Sequence, residues 1–163
     1  RITALKRQIK ASPEAVELRL DLAETYRRRA NQQAEGSDGR AADLAASAAA
    51  YETYVKRLAR TKGTKAEVKA AERLQVEALL DLAKVYLTMG DYKSVTNVYG
   101  RLTALRPGNA GFFYVMGRVA ITADDTDTAL LAFGRYLELA PDSPEAEQVR
   151  KWVAENTSGG TGQ

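Results

Sequence analysis

The chain has no cysteine and no histidine, and these two absences remove much of the chemistry a protein of this size could carry. Without cysteine there is no disulfide framework and no thiolate site, and the redox compartment is left open. Without histidine as well, the usual zinc ligand sets and the commonest general base are missing. No run of about 18 apolar residues occurs, so no segment reads as a membrane span. Charge of one sign is also scarce. Twenty-four basic residues against 21 acidic leave +3 at pH 7, too slight an excess to indicate a nucleic acid partner, although the pI is near 9.1. There is no nucleophile elbow and no glycine-rich phosphate loop, since Lys62-Gly63-Thr64-Lys65 lacks the leading glycine and the spacing. The carboxylates fall on expected helix surfaces and caps. An enzyme is therefore the least expected class, and no cofactor or metal is expected.

What the sequence does contain is a tandem repeat. Val76 to Asn109 and Ala110 to Ser143 are two units of 34 residues laid end to end, a period that means stacked helical hairpins completing one another's cores. Places 4, 7, 8 and 11 hold Leu79, Leu82, Ala83 and Tyr86 in one unit, and Phe113, Met116, Gly117 and Ala120 in the other. That is one helix face, with a small residue where a partner helix comes close. Glycine inside a helix costs roughly 1 kcal/mol against alanine, so Gly117 needs a packing reason. Places 20, 24 and 27 hold Val95, Tyr99 and Leu102, then Ala129, Phe133 and Tyr136, and Pro107 and Pro141 close the units, because proline lacks the amide a helix needs to continue.

At these places the sequence resembles the tetratricopeptide (TPR) repeat family, with departures at Ala120, Val95, Leu102 and Tyr136. The resemblance implies an all-α, right-handed α-solenoid of antiparallel helix hairpins, with a C-terminal capping helix.

In that phase the chain reads as a single TPR-like domain over residues 1–155. Residues 1–15 form a half repeat, with Ile2, Leu5 and Ile9 on one helix face and Ser12-Pro13 as the stop and the next start. Residues 16–75 form one repeat with 26 residues added. Its place-8 residue is Ala23 and its first helix extends to about Glu35. The alternation of Glu17 to Leu22 has the period of a strand, but the alanine and arginine content and the repeat phase favour helix. After Gly36-Ser37-Asp38-Gly39 an alanine-rich helix is expected from about Arg40 to Arg60. A capping box of Thr64 and Glu67 then starts a helix to about Met89. Asp91 and Asp125 read as N-caps, and the acidic trio at 124, 125 and 127 as ordinary helix-start carboxylates rather than a cation site. Residues 144–155 form the capping helix, with Ala146, Val149, Trp152 and Val153 on its apolar face, and 156–163 a disordered tail. The chain opens on Arg1 rather than methionine, as a fragment of a processed or longer protein would, and its Ala, Arg and Gly usage suggests a bacterial source.

The resemblance also implies a concave surface lined by the first helices of the repeats. Carried onto this chain, it comprises Leu20, Glu24 and Arg27, then Glu77, Leu80, Lys84 and Leu87, then Tyr114, Arg118 and Ile121. Apolar anchors bordered by charges of both signs suit an extended or helical peptide, although a stripe at helical spacing also arises from packing against neighbouring helices. Glu24 stands where the carboxylate-gripping TPR proteins carry asparagine, which argues against a chaperone tail. The arginines at 27–29, with Arg57, Arg60, Lys62 and Lys65 elsewhere, offer sequence-independent contacts to phosphates, but they read as solvated helix faces, for acidic residues are interspersed and no aromatic platform for bases accompanies them. The expected function is a non-enzymatic scaffold for a protein or peptide partner. The alternative is pairing of two chains through the alanine-rich helices or the open N-terminal face.

Overall fold

The computed structural model describes residues 1–157; the rest of the expected tail lies outside the described residues, while Asn156 and Thr157 continue the last helix. Among the described residues there are eight helices and no strand. They are α1 (Ile2–Ala11), α2 (Glu17–Asn31), α3 (Asp38–Leu58), α4 (Lys65–Met89), α5 (Tyr92–Leu105), α6 (Ala110–Thr122), α7 (Thr126–Leu139) and α8 (Ala146–Thr157). They gather into two compact units, one ending at Asp91 and one beginning at Tyr92.

In the first unit the start of α2 departs from expectation. Ser12 does not cap α2: its N–H bonds Gln8 O at 2.8 Å and closes α1 instead. Pro13 then enters a turn, and α2 begins at Glu17 behind Val16, which supplies no side-chain cap. The alternating stretch from Glu17 to Leu22 is helical. Helix α2 packs against both α1 and α3 and pairs with α4 through Arg27 and Asp81, so apolar residues are needed on several of its sides and Leu18, Leu20 and Leu22 are all half-buried. Helix α2 ends at Asn31, short of Glu35, and just beyond that end the Gln33 amide donates to Asp43 Oδ2 at 2.6 Å. Ser37 then caps α3 by accepting from Arg40 N, so α3 starts two residues before Arg40. Ala23 and Ser47 are fully buried, and Ser47 Oγ donates to Ala23 O at 2.8 Å. A larger residue at this eighth place would push α3 off that carbonyl.

The capping box forms as expected: Thr64 Oγ1 accepts from Glu67 N at 3.3 Å while the Glu67 carboxylate accepts from Thr64 N at 2.7 Å. Thr64→Ala is expected to speed amide exchange in the first turn of α4 about fivefold, the effect of losing roughly 1 kcal/mol of capping. Unchanged exchange there would mean that packing alone holds the turn. Helix α4 stops at Gly90, whose φ of +73° is the left-handed end that glycine adopts without strain.

In the second unit Asn109 caps α6 through Phe112 N, and Asp125 caps α7 through Thr128 N at 3.0 Å. Val95, Leu102, Ala129 and Tyr136, from places 20 and 27 of the repeats, are all buried. The core joins Phe133, Tyr136 and Val149 to Phe113, Tyr114, Trp152 and Val153. A Cβ on Gly117 would stand 2.5 Å from Phe133 Cε1, which is the packing reason for glycine there.

Candidate partner-binding faces

The ten residues expected at the concave surface divide between the units, seven in the first and three in the second. In the second unit Tyr114, Arg118 and Ile121 come together on α6 and line a cleft of about 200 Å³ with Phe133 of α7 and Gln148, Val149 and Trp152 of α8. Its lining is a small aromatic stack. The ring centroids of Tyr114 and Tyr136 lie 5.1 Å apart, those of Tyr114 and Phe133 6.3 Å, and those of Phe133 and Trp152 5.2 Å in an edge-on arrangement. The Tyr136 hydroxyl is shared with Ser143 Oγ and donates to Glu145 Oε2 at 3.2 Å, which ties the end of α7 to the turn before α8. Ile121 is 38% exposed at the mouth. The Arg118 guanidinium lies 5.9 Å from the Tyr114 ring centroid and is in no ion pair among the described residues. The cleft therefore offers an apolar seat with one uncommitted cation beside it.

The sequence alone places Val149 and Trp152 on the apolar face of a capping helix, whereas in the structure they also form the α8 side of this cleft. The available signal was Trp152 itself, the one tryptophan of the chain, since an indole that is only half-buried has surface left for a further contact.

In the first unit Leu20 and Leu80 are half-buried and Leu87 is 44% exposed. Of the charges between them, Arg27, Glu77 and Lys84 are in ion pairs. Asp81 stands 3.7 Å from Arg27 and 2.9 Å from Lys84, and Arg73 pairs with Glu77 at 3.6 Å. Asp81, outside the expected surface places, is thus the centre of this face, and it brings Arg27 of α2 to Lys84 of α4. Beneath lies Tyr51 of α3, fully buried, with no hydrogen-bond partner for its hydroxyl among the described residues. Burial pushes this phenol up to about 12, with Arg27 drawing it down and Asp81 and Glu24 adding to the rise. Another concavity of the second unit, about 740 Å³, is lined by Lys93, Arg101, Asp124 and Asp125 among others and by none of the expected surface residues. Its charges of both signs select no ligand class.

No family model and no curated protein matches the chain. Among the solved structures that resemble it are "Crystal structure of MamA" and "Crystal structure of MamA protein", each at 20% identity, a TM-score of 0.47 and 96% coverage of this chain, over 77% and 72% of their own lengths. At that level neither bears on what this chain binds.

Proposed function

We propose that the chain is a non-enzymatic, TPR-like scaffold that holds a protein partner, with α8 acting as the cap of the repeat stack. The principal anchor point is the α6–α8 cleft. What carries the reading is an aromatic floor of Phe133, Trp152 and Tyr114 left open beside exposed Ile121 and free Arg118. It suits an aromatic or branched apolar side chain of an extended or helical segment with an acidic residue next to it. Leu20, Leu80 and Leu87, bordered by Glu24, Arg27, Glu77 and Lys84, provide an apolar strip on the first unit.

Selection of binders from a random peptide library, followed by calorimetric titration of the winners, tests this. Tyr114→Glu is expected to weaken binding at least about 30-fold, the range of a lost central anchor, and Arg118→Glu to remove the preference for acidic residues. Winners that bind the Tyr114→Glu and Leu80→Glu variants as tightly as the parent chain would sink the reading. Self-association is the second reading, favoured by the exposed Ala42, Ala45 and Ala49 on one face of α3. Sedimentation over a concentration series decides it, and a chain that stays monomeric at high concentration rules it out.

A further inference from the structure

Residues 56–69, the tip of the α3–α4 hairpin, hold six basic residues, Lys56, Arg57, Arg60, Lys62, Lys65 and Lys69, against one acid, Glu67. That leaves 18 basic and 20 acidic residues elsewhere, so the whole positive excess of the chain resides in this segment. All six cations are exposed and none is in an ion pair among the described residues. Glu67 does not offset them as a free charge would, because its carboxylate is fixed by the Thr64 amide at 2.7 Å and the Thr64 hydroxyl at 2.8 Å. The tip also stands clear of its neighbour. From Ala59 to Ala70 every residue is exposed except half-buried Val68.

We propose that this tip docks the chain electrostatically onto an anionic membrane surface. A specific protein interface requires an apolar centre, and the tip presents none, since Leu58 is buried and Val68 partly so. It has no aromatic side chain on which bases could stack. The one position where backbone amides would seat a single phosphate, the N-terminus of α4, is filled by Glu67. What remains is six long side chains on a convex end, attracting by charge alone. A flat leaflet of anionic lipid can meet all of them together, whereas a strand or duplex meets only those along its path. Each basic residue near such a surface contributes an independent increment of affinity, about fivefold.

Co-sedimentation of the full chain with vesicles tests the proposal, using phosphatidylcholine alone and equimolar phosphatidylcholine and phosphatidylserine at low and high salt. Binding is expected only to the phosphatidylserine vesicles, and it should disappear at high salt as the charges are screened. The double variant Lys62→Glu with Lys65→Glu should lower the partition coefficient about 30-fold or more, and the milder glutamine pair should lower it in the same direction. Arg28→Glu with Arg40→Glu changes the net charge equally at the opposite end of the α2–α3 hairpin and should stay within about threefold of the parent. Circular dichroism establishes that each variant is folded. Equal binding to phosphatidylcholine, equal loss in the Arg28→Glu, Arg40→Glu variant, or no binding to the phosphatidylserine vesicles, with or without retention of duplex DNA by the same lysines, would each overturn the proposal. None of the cleft residues lies in this segment, so its failure leaves the scaffold reading untouched.

Discussion

Gly117→Ala is expected to lower the unfolding free energy by about 1–2 kcal/mol, and Gly134→Ala, the same change one helix away, to raise it by up to about 1 kcal/mol. Both glycines lie inside helices, where alanine is the better helix former. They differ in what the added methyl meets. At Gly117 it would stand 2.5, 2.6 and 3.0 Å from three ring atoms of Phe133, while at Gly134 nothing lies within 4 Å. The Phe133 ring has little room to retreat, since it is 3% exposed with Trp152 edge-on at 5.2 Å and Tyr114 at 6.3 Å. Overpacking at Gly117 therefore outweighs the propensity gain, and at Gly134 the gain stands alone. Urea midpoints at unchanged slope measure both. Shifts of the same sign would show that α6 does not rely on a missing side chain to approach α7.

Arg29→Met is expected to lower the stability of the chain at neutral pH, because it leaves the Asp43 carboxylate in a poorly hydrated place without its cation. Asp43 accepts from Arg29 Nε at 2.6 Å, from Arg29 Nη2 and from Gln33 Nε2 at 2.6 Å. Its side chain is only 5% exposed, but the arginine covering it is half in water, so the loss falls below that for a deeply buried pair. The bonds from Arg29 hold the Asp43 carboxyl below its usual range against the opposing effect of burial, and Gln33 adds to the lowering. Stability from this group is thus present above the unfolded carboxylate pKa and is lost as pH falls through the depressed folded value. Without Arg29 only the Gln33 bond opposes the effect of burial, and this pH dependence is weakened. The two proteins should converge in stability as the pH drops through the acid range, as thermal unfolding at several pH values would reveal. A gap that stays constant with pH would mean that Arg29 acts through its aliphatic stem or its contact with the Tyr26 ring, 5.6 Å from its guanidinium, and not through charge.

The parts of this molecule that were legible in the sequence are those fixed by local rules. The Thr64–Glu67 box, the glycine stop at Gly90 and the small eighth-place residues Ala23 and Gly117 each have a backbone or packing cause that residue type alone states. Element ends that lie beside such bonds as these were not legible. Helix α2 ends just short of Gln33, whose amide reaches Asp43, ten positions away, and Ser12 gives its amide to the helix before it rather than its side chain to the one after. The candidate site divides in the same way. Helical spacing brings Tyr114, Arg118 and Ile121 onto one face, but the cleft exists only because α8 lays Trp152 and Val149 beside them. Asp81 escaped notice because its importance comes from Arg27, which is far away in sequence and on another helix.

The placement of the lone indole gives the molecule a built-in optical reporter. Every other aromatic side chain is a phenol or a phenyl ring, so emission excited at the red edge arises from Trp152 alone and senses the wall of the α6–α8 cleft. Tyr26, Tyr51 and Tyr54 are buried in the first unit and contribute only absorbance and near-ultraviolet dichroism. A quenched or blue-shifted tryptophan spectrum on adding a peptide would therefore register occupancy of the second unit, with no label attached.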